Sequence, residues 1–182
     1  MSQTDAKLPR GFRNNNPGNI RHSGIAWEGQ SAQQPDPGFV TFADPEHGIR
    51  ALARIILNYQ SRYGLATTEA IIGRWAPPSE NNTAAYVQAV ANAVGVPANS
   101  PLSLRENLPM LRTFVAAIIA QENGSPRAAG RTEWYDAATV DRAIALAVSA
   151  SPAHPADRSF HHHHHPVHHH HPTHHHAAAK HK

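Results

Sequence analysis

From residue 44 onward the apolar positions fall into helical spacing, and the pattern predicts five helices. The first opens on Asp44 as N-cap with Pro45 at the first helical position and Glu46 at the positive helix end. Ile49, Leu52, Ile56, Tyr59 and Tyr63 follow on one face, and Gly64 is placed to close the helix. The second runs over Thr68–Trp75 and is stopped by Pro77-Pro78. The third starts near Asn82 or Thr83, turns Tyr86, Val87, Val90 and Val94 inward and ends at Gly95. The fourth spans about Asn107 to Gln121, and the fifth starts near Asp136 and presents Val140, Ile144 and Val148.

Before residue 44 the pattern is different. Gly11 to Gln34 is rich in Asn and Gly and poor in apolar periodicity, which predicts an ordered loop with room for a short strand. Pro35-Asp36-Pro37-Gly38 has the chemistry of a turn, and Phe39–Phe42 has that of a short strand. The sum is a mainly α, α+β-type domain with one small β or loop element, over residues 8–150. From Ser151 to Lys182 the chain is Pro- and His-rich: its last 22 residues hold 13 of the 16 histidines, and a disordered tail is expected there.

The most informative position is Glu122. Leu111, Phe114, Val115, Ile118 and Ile119 form an apolar stripe on the fourth helix, and the next helical step along it is Glu122. At about 100° per residue, Leu111 and Glu122 lie three turns and roughly 20° apart, so the acid shares the inward face. Asn123-Gly124 then ends the helix. Burial and the negative helix end both disfavour a carboxylate, and a carboxyl that keeps its proton near neutral pH suits general-acid catalysis. The competing reading is a frayed helix end with Glu122 in water.

Gln121-Glu122-Asn123-Gly124-Ser125-Pro126 after an apolar helix resembles the Glu-Ser-Gly-type motif of lytic transglycosylases and goose-type lysozymes, with Asn123 where Ser is usual. Two other segments, Arg10-Gly11-Phe12-Arg13-Asn14-Asn15-Asn16-Pro17-Gly18-Asn19-Ile20-Arg21 and Arg74-Trp75-Ala76-Pro77-Pro78-Ser79-Glu80-Asn81-Asn82-Thr83, resemble a family of phage virion-associated and prophage proteins often labelled structural. Trp27, Phe39 to Arg50 and Tyr86 belong to the same resemblance, which covers about Leu8 to Ala147. The first segment is also similar to the Asn-Leu-Phe-Gly-Ile turn of bacterial glucosaminidases. In lysozyme-like enzymes that turn follows the Glu-bearing helix, whereas here it precedes it. The resemblance therefore implies a lysozyme-like fold opened at another point, a circular permutation.

What the resemblance implies is cleavage of peptidoglycan glycan strands by a muramidase or lytic transglycosylase with Glu122 as proton donor. Glu80 is the candidate second carboxylate, which a hydrolase needs and a transglycosylase does without, because the sugar's own C6 hydroxyl attacks. Its other reading is a complement to the third helix's dipole. Asn16, Asn19, Trp27, Asn81 and Tyr86 are the candidate sugar contacts. Asn14 and Asn15 are further amides of the same kind, and Trp75 and Trp134 further aromatics, although turns favour Asn and cores favour Trp. Glu46 reads as a helix-start residue, and His22 and His47 as structural.

Composition adds limits. The 16 Lys and Arg against 13 Asp and Glu leave a formal charge of +3, too little to argue for nucleic acid but suited to a mildly anionic polymer. There is no cysteine, Met1 to Arg10 lacks the apolar core of a signal peptide, and no run predicts a membrane span. The expected partners are glycan strands and other virion or delivery-machine proteins, with synthesis in the cytoplasm and action at the wall. No cofactor is expected. The His-rich tail offers weak zinc or nickel binding and low-pH adhesion, without a spacing that fixes a structural metal. Two other functions compete with the enzyme: a non-catalytic phage particle component that binds peptidoglycan, and an antibacterial effector delivered to a rival's periplasm.

Overall fold

The computed structural model describes residues 8–150. In chain order the helices are α1 (Arg10–Arg13), α2 (Pro45–Tyr63), α3 (Thr68–Trp75), α4 (Thr83–Val94), α5 (Leu108–Asn123) and α6 (Ala137–Ser149), with a 3₁₀ turn at Pro126–Ala129. The five expected helices are all present. Their starts are set by side-chain caps: Asp44, Thr67, Asn82, Asn107 and Asp136 each accept from a backbone N–H three residues on. α2 ends at Gly64, whose φ of 65° is left-handed.

α2 is the axis of the molecule. From Gly48 to Tyr59 it is buried on every side, and α3, α5 and α6 pack against it while α4 packs on α3 and α5. Two arginines on α2 are enclosed with it. Arg50 pairs with Glu28 at 3.0 Å, and Arg54 donates to the Ala147 carbonyl at the end of α6. Arg50 is thus ion-paired and Arg54 hydrogen-bonded, in keeping with the cost of burying a charge without partners. No helix among the described residues is long and apolar enough to cross a membrane.

Two expectations are corrected. Gly11 to Gln34 is not wholly loop, because Arg10–Arg13 makes one helical turn. Phe39–Phe42 is not a strand: the described residues contain isolated bridges, Arg21 with Phe39 and Gln30 with Phe42. The reason is that side-chain amides stand where a ladder would run. Asn16 donates to the Val40 carbonyl at 2.8 Å, and Gln34 both accepts from Thr41 N–H and donates to its carbonyl. Backbone bonds remain, from Val40 N–H to the Ile20 carbonyl, His22 N–H to the Gly38 carbonyl and Ser31 N–H to the Thr41 carbonyl, but they do not join into a ladder, while Phe39, Val40 and Phe42 bury their side chains. The expected turn is present: the Asp36 carboxylate accepts from the N–H groups of Gly38 and Phe39. The His-rich tail lies outside the described residues.

The Asn-rich loop presses directly on α2. A β-carbon at Gly48 would stand 1.7 Å from the carbonyl oxygen of Asn15, so only glycine permits this approach. Asn15 and Asn19 themselves adopt φ of 52° and 50°, the left-handed region that asparagine tolerates best after glycine.

Candidate active site

The stripe of α5 delivers what its spacing promised. Leu111, Phe114, Val115, Ile118 and Ile119 are buried, and Glu122 is buried with them at 7% exposure. The helix runs to Asn123, so Glu122 is still helical and its side chain is turned inward.

Three elements converge on its carboxyl group. Tyr86, one turn into α4, donates its hydroxyl to Oε2 at 3.1 Å. Trp75, the last residue of α3, donates its indole N–H to the Tyr86 oxygen at 3.0 Å. Asn19, from the loop before α2, donates to Oε1 at 3.4 Å. Trp75 therefore occupies the tyrosine as an acceptor and leaves its proton for Glu122. Burial pushes the Glu122 pKa up to about 8, opposed by the hydrogen bonds from Tyr86 and Asn19. Tyr86 is likewise raised, by its own burial and by the facing carboxyl.

The carboxyl opens on a pocket of about 370 Å³. Leu8, Pro9 and Arg10 line one side, Gly124, Ser125 and the 3₁₀ turn another, and Asn19, Asn123 and Trp134 complete it. Trp134 is fixed by its indole N–H on the Gly124 carbonyl and by ring contact with Phe12 at 5.2 Å. Arg10 pairs with Asp36 at 3.4 Å and lies over the Phe39 ring. Among the described residues lining the pocket, Glu122 is the one carboxylate and Arg10 the one cation.

The candidate residues from the sequence divide clearly. Glu122, Asn19 and Tyr86 come together; Tyr86, expected against a sugar, instead holds the acid from behind. Trp134 lines the pocket. Asn16 is fully enclosed, its amide bonded to the carbonyls of Ile20 and Val40 and to Ile20 N–H, so it builds the loop and does not face the pocket. Asn14 and Asn15 are tied down in the same way, to Asp36 and to the Phe42 carbonyl. Trp27 is core at 4% exposure. Asn81 donates to the Pro77 carbonyl within the turn between α3 and α4, and Glu80 is exposed on that turn. Glu46 pairs with Arg142, and His47 bonds the capping Asp44. His22 bonds the Asp36 carbonyl. Asp136 caps α6.

Two site residues, Arg10 and Asn123, were named in the sequence as motif positions and not as site residues. Arg10 carried no signal of a place at the pocket. Asn123 gave one: it follows Ile119 by a helical turn, so it too sits on the inward face, where its amide donates to the Pro17 and Ile119 carbonyls at 2.8 and 2.9 Å.

No family model matches the chain. It is 47% identical over 119 residues to Protein P5 of Pseudoalteromonas phage PM2, a match covering 64% of this chain and 72% of that protein. An identity of that size over most of the relative is the mark of common descent, and the chain belongs to the family of phage PM2 Protein P5.

Proposed function

We propose that this phage-family protein cleaves peptidoglycan glycan strands, with Glu122 as the acid. The observation that carries the reading is a buried carboxyl group, held by Tyr86 and Asn19 and pushed up to about 8, opening on a pocket. A group of that kind still has its proton at neutral pH and can give it to a glycosidic oxygen. The circularly permuted lysozyme-like fold belongs to the same proposal, supported by the position of Glu122 at the pocket end of a buried helix.

The single carboxylate in the pocket favours the transglycosylase form. Glu122 protonates the bridging oxygen and the C1–O bond breaks. The sugar's C6 hydroxyl oxygen then bonds to C1 and gives its proton back to the Glu122 carboxylate, so the enzyme ends as it began. Trp134 supplies aromatic surface for a sugar ring, and Arg10, which also pairs with Asp36, guanidinium N–H donors for polar groups of the polymer. Digestion of purified peptidoglycan with mass analysis of the fragments tests the reading: anhydro ends are expected, and reducing muramic ends would transfer it to a muramidase.

Two variants probe the assignment of roles. Replacing Tyr86 by Phe removes a hydrogen bond that lowers the Glu122 pKa, so the alkaline fall in activity is expected at higher pH than in the parent. An unmoved fall would mean that another group sets it. Replacing Glu80 by Gln is expected to leave the shape of the pH–rate profile unchanged, since Glu80 is exposed on the α3–α4 turn. A flattened acidic limb would instead make Glu80 the second carboxylate of a hydrolase.

A second reading rests on kinship. Membership of a phage protein family favours a non-catalytic particle component, which on this reading would hold peptidoglycan without cutting it. Binding of walls with intact glycan after prolonged incubation would select that reading.

A further inference from the structure

The oxygen atoms around Gly11 do not balance. Asn123 spends both amide hydrogens on the carbonyls of Pro17 and Ile119, which fixes its Oδ1 toward Gly11. Asn19, while it donates to Glu122, also turns its Oδ1 toward Gly11. The point where a Gly11 β-carbon would stand is 2.6 Å from Asn123 Oδ1, 2.8 Å from the Asn16 carbonyl oxygen and 2.9 Å from Asn19 Oδ1. Three acceptors thus converge on one spot. Both amide oxygens are buried, and neither has a donor among the described residues. Buried acceptors without donors are disfavoured, so this arrangement calls for compensation.

A half-turn of the Asn19 amide supplies it. Asn19 Nδ2 would then face Asn123 Oδ1 and the Asn16 carbonyl, and Asn19 Oδ1 would face Glu122 Oε1. That is favourable only when Oε1 carries a proton to donate. It is also the oxygen on which the proton belongs, because Tyr86 already donates to Oε2 and Trp75 N–H occupies the tyrosine oxygen.

We propose that Asn19 is a positioning residue whose amide turns with the protonation state of Glu122. With the acid loaded, Asn19 accepts from Oε1–H and donates to Asn123, which holds the proton on the oxygen beside the pocket. Once the proton has gone to substrate, the amide turns back and donates to the carboxylate, as the present geometry shows. Asn123 is the fixed acceptor that biases the pair toward the loaded state. The catalytic meaning of the turn rests on Glu122 being the acid of the proposed reaction, but the turn itself needs no substrate.

Tyr86 faces Glu122 from α4, and Arg10, on the pocket wall, is paired with Asp36. The buried arginines of α2 go to Glu28 and the Ala147 carbonyl, and the α5–α6 ion pair, Arg112 with Asp141, lies toward the start of α5.

The test is side-chain NMR on the full chain without ligand, across the Glu122 titration followed by its carboxyl carbon. At pH values below that titration, the Asn19 amide protons are expected to show cross-relaxation with the Gly11 α-protons; above it, that contact should vanish with the same midpoint. In Glu122→Gln, whose amide donates at every pH, the Gly11 contact should persist throughout. Asn19→Leu removes both roles and the bias toward the loaded state, so the carboxyl midpoint should stay or fall, not rise, while the rate of glycan cutting falls. If the amide contact is the same on both sides of the titration, or if Asn19→Leu raises the midpoint as loss of a fixed donor would, the turn is refuted. Absence of any glycan cutting by the parent protein would refute the proposed function and leave the NMR result standing.

Discussion

Glu122→Gln is expected to end turnover and to give a protein more stable than its parent at alkaline pH. The amide is nearly isosteric with the carboxyl group, and its oxygen can still accept from Tyr86, but it has no proton to transfer. Loss of a general acid costs about 10²–10⁴-fold in rate or more. The stability gain follows from linkage. In the unfolded chain Glu122 ionises near its ordinary value of 4.5, whereas in the fold it holds its proton up to about 8. Between these values unfolding releases a proton, so the parent loses stability steadily as pH rises through the interval. Above the folded value the loss is complete. Each pH unit crossed within the interval costs the parent about 1.4 kcal/mol, so the gap between variant and parent should reach a few kcal/mol. Denaturant unfolding of both proteins across that range measures it. Parallel curves at every pH would show that Glu122 is not held neutral by the fold.

Gly48→Ala is the substitution expected to damage the fold most. The new methyl would lie 1.7 Å from the Asn15 carbonyl oxygen and 2.8 Å from its carbon, so backbone must move. α2 cannot retreat, because it is packed on all sides. The loop is hardly freer: Asn15 is tied to the Phe42 carbonyl, and Asn16 N–H to the Gly11 carbonyl. Overpacking typically costs about 1–3 kcal/mol, and a clash with tied-down backbone falls at the upper end of that range. Because the same loop carries Asn19, any variant that survives should also lose the hydrogen bond from Asn19 to Glu122. A large fall in melting temperature, with an altered pH–rate profile, is the expected result. An unchanged melting temperature would show that the loop does not bear on α2.

The helices were legible because their ends carry chemistry that acts locally. Asp44-Pro45 and Gly64 mark α2 without reference to the rest of the chain, and Asn107 and Gly124 do the same for α5. Glu122 was legible as well, since a stripe that continues onto an acid can be counted. Phe39–Phe42 misled because β-type residues report burial, and here the amides of Asn16 and Gln34 interrupt the backbone pairing that would make a strand. Residue type failed in the same way at Asn16 and Trp27, which look like sugar contacts and are enclosed. Tyr86 was found for one role and holds another. The pocket itself had no local signature. It forms where α1, the end of α5 and Trp134 meet, and the bond from Asn19 to Glu122 spans 103 positions of sequence.

The claim that Glu122 cuts glycan is tested most directly by the digest itself, run with parent and Glu122→Gln side by side on purified peptidoglycan and read by mass. Release of anhydro-muropeptides by the parent and none by the folded variant is the expected result. Glycan left intact by the parent, or the same fragments at the same rate from both proteins, would contradict it.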